Sequence, residues 1–379
     1  MLGLNFIPIL AGSLVVGAAA VGGYAVLTTS GPFAQSDEAP AAAQSPVSAT
    51  PVPAPNEKTL TVNRVAGSPP SAVGKGSTVD GQGADARFVE PTGVAIDGAG
   101  TIYVADNGAN LIRAISAAGF VSTLAGSGVS GLRDGAAATA QFFAPNGLAL
   151  EADGSLLVAD SGNHRIRRIS RDGQVTTVAG SGPSGLGRGG FADGPPTTAR
   201  FNLPKGVAVT GSGDILVSDT DNARIRRISK DGTVTTVAGT GELGKADGGA
   251  SVATFSNVSG ITLGPDGSLF IADQPNNSIR RIDPLGTVTT VAQGFRFPSA
   301  VAVNKSGEIF VSDTGNNRVV LLSPKGVVIA EAGGTQGAAD GTGRQAQFFN
   351  PAGVAIGPAG TAFVTDSTNA ILRSVEVSP

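Results

Sequence analysis

Apolar residues in this chain come in short runs of five to seven, rich in Val, Ile and Ala, and each run is closed by a glycine turn. The clearest run is Ile-Tyr-Val-Ala-Asp at 102–106, and it returns with its aspartate at Asp160, Asp219, Asp273, Asp313 and Asp366. Six residues before each aspartate stands a glycine (Gly100, Gly154, Gly213, Gly267, Gly307, Gly360), and thirteen after each of the first five stands another (Gly119, Gly173, Gly232, Gly286, Gly326). Glycine supplies the positive φ of tight hairpin turns, and runs of this length read as strands. Each unit is therefore expected to be a four-stranded antiparallel sheet.

A second frame precedes the first. Phe88, Phe142, Phe201, Phe255, Phe295 and Phe348 sit three residues before Pro91, Pro145, Pro204, Val258, Pro298 and Pro351, and an Asp-Gly pair stands eight residues upstream of every phenylalanine except Phe295. Residues repeated in every unit serve the unit rather than a single ligand. The phenylalanines are expected to wedge between neighbouring units. Each aspartate, with Asn163, Asn222, Asn276, Asn316 or Asn369 three residues later, is expected to bond the amides of its own turn. Arg113, Arg167, Arg226, Arg280 and Arg373 read as partners of carboxylates across units, with Val320 breaking the set.

Gly-Val-Ala-Ile-Asp at 93–97, Val-Ala-Asp-Ser-Gly-Asn-His-Arg-Ile-Arg at 158–167 and Val-Thr-Thr-Val-Ala-Gly at 175–180 resemble the NHL-repeat family, and the resemblance covers residues 59–379. It implies an all-β fold, a six-bladed β-propeller of four-stranded antiparallel blades. The sixth unit reaches Pro379 one strand short, while Thr61-Val62-Asn63-Arg64-Val65-Ala66-Gly67 matches the outer strand at 233–239. The ring is expected to be closed by an N-terminal outer strand, because only full closure leaves short, protected sheet edges.

Residues 1–57 differ. Phe6 to Leu27 is a mostly apolar run with no charge before Asp37, long enough to cross a bilayer. Residues 1–30 are read as one N-terminal transmembrane helix acting as an anchor or signal-anchor, 31–57 as a Pro/Ala-rich disordered linker, and 58–379 as the propeller. The propeller is then expected outside the cytoplasm, or secreted if the segment is cleaved. Lys and Arg are missing from both flanks, so charge gives no orientation.

Composition narrows the chemistry. Residues 1–57 hold three acids and no Lys or Arg, which leaves 29 − 3 = 26 acids against 26 bases in the repeats. A neutral propeller lacks the cationic excess that nucleic acid requires. With no cysteine there is no thiolate metal site or thiol nucleophile, and no cofactor or metal is expected. The single histidine, His164, reads as an exposed turn residue, and the glycine-rich stretch 185–190 as a loop without the ending of a phosphate loop.

Unrepeated residues are the better candidates for a site. Those just after the proline position open on the central axis: Thr92, Asn146, Lys205, Ser259, Ser299 and Ala352. The loops between blades, with their Asp-Gly pairs, are expected to crowd the same face. Where the fifth unit lacks its Asp-Gly loop, a rim notch is expected at Arg296 and Phe297 beside Phe295. The resemblance extends more broadly to gluconolactonase-like hydrolases, which hold a metal in the channel through Glu, Asn and Asp, and to amidating lyases, which rely on several histidines. Only Asn146, with Glu90 nearby, and one histidine are offered here. The expected function is a membrane-tethered scaffold or sensor, monomeric, binding an unidentified protein, peptide or small molecule. The alternative is a hydrolase or lyase at the channel mouth.

Overall fold

The computed structural model describes residues 58–69 and 77–378. Six antiparallel sheets follow one another along the chain, with no strand shared between them. Blade 1 runs Pro91–Ile96, Ile102–Asp106, Leu111–Ile115 and Phe120–Ala125 from axis to rim. Blades 2 to 5 repeat the order, and blade 6 takes its first three strands from Pro351–Ile356, Ala362–Asp366 and Ile371–Ser378. Its outer strand is Thr59–Gly67, paired antiparallel from Thr59↔Ser378 to Gly67↔Ile371. The N-terminal closure expected from the sequence is thus present.

Each phenylalanine of the second frame fills the space between two blades. Phe142 packs on Ile112 and Ala125 of blade 1 and on Val158 and Val175 of blade 2. Phe201 does the same between Leu157, Ile166 and Ala179 on one side and Val207, Val217 and Val234 on the other. Near the axis the blades touch through backbone: a Cβ on Gly93 would lie 2.0 Å from the Asn146 carbonyl, and one on Gly147 2.2 Å from that of Lys205. No side chain fits there, which is why glycine recurs two residues after the proline.

Three expectations need correction. Four-stranded blades are not the rule, because the Asp-Gly loop runs down the outer edge and adds a two-residue strand in blades 1, 2, 4 and 6, at Gly81–Gln82, Gly135–Ala136, Gly248–Gly249 and Gly341–Thr342. In blade 3 this strap is a single bridge, Gly194 to Val234. The aspartates do not bond the amides of their own turns. Asp160 accepts from the Phe143 amide at 2.8 Å and Asp219 from the Asn202 amide at 2.7 Å, seventeen residues upstream, so each fixes the segment that carries the wedge phenylalanine.

The arginines, likewise, pair within their own blade. Arg226 donates to Asp219 at 2.6 Å and to the strap residue Asp193 at 2.5 Å, lies over the Phe201 ring at 5.2 Å from the centroid, and is fully buried. The same Asp-Arg-Asp clamp recurs at Arg113, Arg167, Arg280 and Arg373. Blade 5 carries Val320 instead, and Arg318 reaches Asp313 and Glu331 at 2.7 Å each.

The anchor at 1–30 and the linker at 31–57 lie outside the described residues. Among the described residues no helix is long and apolar enough to cross a membrane.

Candidate functional site

Because every inner strand starts at the turn between second and third strands, the residue after the proline position stands at one mouth of the axis. Thr92, Asn146, Lys205, Ser259, Ser299 and Ala352 line one cavity of about 180 Å³ there. That volume is below the range of drug-sized ligand pockets and suits a small group or the end of a chain. Among the described residues lining it, Lys205 alone is charged.

The hydroxyls divide by task. Thr92 Oγ1 donates to the Pro145 carbonyl at 3.3 Å, and Ser299 Oγ to that of Ala352 at 2.8 Å, so both hold the next blade. Lys205 extends toward the Gln274 side chain, with Nζ 3.4 Å from Oε1. Asn146, Lys205, Ser259 and Gln274 therefore form a polar arc on the side of blades 2 to 4, facing Ala300, Ala352 and Gly353 of blades 5 and 6. Desolvation at the channel wall pulls the Lys205 ammonium below its ordinary range, against the opposing charge of Asp221. An anion entering the arc would restore what the wall withdraws.

Gln274 was not among the sequence candidates. It follows Asp273 directly, at the place where Asn107, Ser161 and Thr314 reach the carbonyl at the proline position of the next blade. A longer side chain at a position otherwise held by short ones was the available signal.

His164 is not the exposed residue expected. It is fully buried, with Nδ1 accepting from the Leu203 amide at 3.0 Å and Nε2 donating to the Gly185 carbonyl at 2.8 Å. Its position, four after the aspartate, is occupied by Asn110, Asn277 and Asn317 in blades 1, 4 and 5, and these accept the Ala144, Phe297 and Asn350 amides of the next blade. The histidine is thus one of a set of clasps between blades. Burial holds its imidazole below the usual range, which suits the neutral ring that accepts at Nδ1.

The Asp-Gly loops do not gather at the mouth. Their straps end at the far hairpins, as in the bond from the Ala137 amide to the Gly173 carbonyl at 2.8 Å. At the rim of blade 5, Arg296 and Phe297 are exposed, Phe297 at 53%, with Phe295 buried beside them. Neither residue lines the channel cavity. Among the described residues, no three His, Asp or Glu side chains converge as metal ligands.

The NHL repeat model matches residues 88–115, 144–169, 201–228 and 295–320, in blades 1, 2, 3 and 5. NHL repeat-containing protein 2 of Bos taurus is 33% identical over 172 residues, 43% of this chain and 24% of that protein, so the chain spans about a quarter of that relative. Among solved structures, an auxiliary nutrient binding protein from Bacteroides thetaiotaomicron aligns at a TM-score of 0.62 with 17% identity, over 85% of this chain and 78% of that one. A gluconolactonase from Xanthomonas campestris aligns at 0.56 with 16% identity, over 86% and 97%. These likenesses show the fold. With six registered repeats, the interblade wedges and the matching repeat model together, the chain belongs to the NHL-repeat family of β-propellers.

Proposed function

We propose that this chain is a binding module, tethered to a membrane through Phe6–Leu27 with residues 31–57 as its stalk, that takes a carboxylate-bearing small molecule or peptide end into the channel mouth. The observation that carries the reading is the arc around Lys205: one cation in an otherwise uncharged lining, with two side-chain amides and a hydroxyl beside it. A buried or half-buried ammonium that gains an anion forms a charge-assisted contact stronger than a neutral one. Lys58, where the repeats begin, pairs with Glu308 in the turn between Val303 and Ile309, on the face opposite the mouth. A hydrolase or lyase at the same mouth would need a base, and the chain's one histidine is engaged at both ring nitrogens.

Calorimetry on the full chain with succinate, and with short peptides ending in a free carboxylate, tests the reading. Lys205→Met should weaken binding tenfold or more and leave the melting temperature unchanged. Binding should also weaken as pH rises, beginning below the ordinary lysine range, because desolvation at the channel wall lowers the pKa of the Lys205 ammonium. Ligand affinity indifferent to Lys205→Met would move the site elsewhere.

A further inference from the structure

The mouth residues are only the outermost ring of the channel wall. Two positions further along each inner strand stand Val94, Leu148, Val207, Ile261, Val301 and Val354, and all six line the same cavity. At the rise of an extended chain they lie roughly 6 to 7 Å along the strand from the mouth ring. Every member of this second ring is branched and aliphatic, with no polar side chain among them. The ring is also held from behind. Val207 belongs to the core that contains Phe201, Leu148 to that of Phe142 and Val354 to that of Phe348, and the other three share a core with Phe88, Phe255 or Phe295 in the same way. The wedges that join the blades therefore fix this lining in place before any ligand arrives.

The same character continues inward. Two positions further on, the inner strands carry Ile96, Leu150, Val209, Leu263, Val303 and Ile356. Ile96, Val303 and Ile356 line a separate cavity among the turns that follow the inner strands of blades 1, 5 and 6. Polarity along the strands thus runs one way, with a polar ring and its single cation outermost and hydrocarbon beyond it.

A ligand seated in the cavity meets Lys205 with its head and the second ring with whatever lies below. A sugar hydroxyl or a second carboxylate placed there gives up water and finds no side-chain partner in the ring, which costs affinity. A methylene placed there gains about fourfold in affinity by leaving water. A peptide that enters carboxylate-first to the depth of the ring would carry its charge past Lys205 into hydrocarbon, so the carboxylate belongs at the rim and the tail beneath it. The cavity of about 180 Å³ holds on the order of six groups of the size of water, at roughly 30 Å³ each. That is room for a carboxylate and a tail of about four or five carbons.

We propose, building on the carboxylate site at Lys205, that the ligand is an aliphatic monocarboxylate of about six carbons, with its head in the polar arc and its tail inside the ring formed by Val94, Leu148, Val207, Ile261, Val301 and Val354. The test is calorimetry on the full chain in detergent, corrected by titrations into detergent alone, with butanoate, hexanoate and adipate. Hexanoate should bind about fifteenfold tighter than butanoate, from two further methylenes, and tighter than adipate, whose second carboxylate has no place in the ring. Val207→Thr and Val354→Thr, on opposite sides of the lumen and nearly unchanged in shape, each set a hydroxyl against the tail; both are checked for a parental melting curve. In each, the ratio of hexanoate to butanoate affinity should fall at least fivefold. Equal affinities for butanoate and hexanoate in the parent, both lost in Lys205→Met, would keep the carboxylate site and overturn the tail. A length dependence untouched by either threonine would also overturn it, by placing the tail outside the lumen. Absence of binding by all three acids would overturn the tail and the carboxylate site together.

Discussion

Replacing Arg226 by valine, the residue that blade 5 carries at the same place as Val320, removes several interactions at once. The guanidinium gives up its bonds to Asp219 and Asp193, to the carbonyls of Arg200 and Ala192 at 3.1 and 2.8 Å, and its cover of the Phe201 ring. Asp219 then stays buried with only the Asn222 side chain and the Asn202 amide as donors. Breaking a buried pair from one side costs about 3–5 kcal/mol. Burial already pushes the Asp219 carboxyl up to about 6 even with the arginine present, so without it the group goes higher still. The deficit of the variant should therefore shrink as pH falls, because a protonated carboxyl no longer leaves an unpaired charge inside. Asp193→Ala removes the outer partner, whose side chain is 41% exposed, and should cost about 1 kcal/mol by the same pairing argument. Removing both buried partners, Arg226→Val with Asp219→Val, should recover most of the loss. Urea unfolding followed by far-ultraviolet circular dichroism measures all four proteins, since the chain lacks tryptophan. A loss below about 1 kcal/mol for Arg226→Val, or a double variant no more stable than the single one, would refute the clamp as a buried pair.

Phe201→Ala should cost about 3–5 kcal/mol in the same assay, the range for deleting a buried aromatic, and an unchanged midpoint would mean that the wedge is not packed. His164 should make stability pH-dependent: its folded pKa lies below the ordinary 6.5, so its contribution is complete above about 6.5 and is lost as pH falls toward the folded value, because the unfolded chain takes up the proton first. His164→Asn, which copies Asn110, Asn277 and Asn317, should keep the clasp and remove that slope between pH 7.5 and 5.5, both set here as roughly one unit either side of the ordinary value; a slope equal to the parent's assigns it to other groups. Deleting Lys58–Gly67 should abolish cooperative unfolding and cause aggregation, since it bares the edge of Ile371–Ser378 along its length; a monomeric, cooperative product would contradict closure by this strand.

The ring, its six blades and its closing strand were legible because each is written several times over in the sequence, and spacing alone carries them. The mouth residues were legible for the same reason, as the variable position inside a fixed frame. What escaped reading was contact across long separations. The bond that the Asn202 amide donates to Asp219 spans seventeen residues, and no local pattern suggests it. His164 was misread because it was weighed as a lone histidine instead of as the fourth blade-clasp beside three asparagines. In blade 5 the absence of the Asp-Gly pair was visible, but the rerouting of Arg318 to Asp313 and Glu331 depends on side chains on two strands meeting in space.

Closure by the first strand also sets a timetable. Thr59 pairs with Ser378, so the strand that closes the ring joins the first of the ring's residues to be made with the last of them. At about 5–20 residues per second of synthesis, the strand Thr59–Gly67 waits on the order of 15–60 s for its partner to be made. Blades 1 to 5 are complete in sequence long before then and can assemble in order behind the ribosome, while the closing strand stays an unpaired edge. Such a contact, spanning nearly the whole chain, belongs to the slowest class of folding step. The last blade is thus assembled only once Ile371–Ser378 has been made, and the ring is either shut completely or not yet a ring at all.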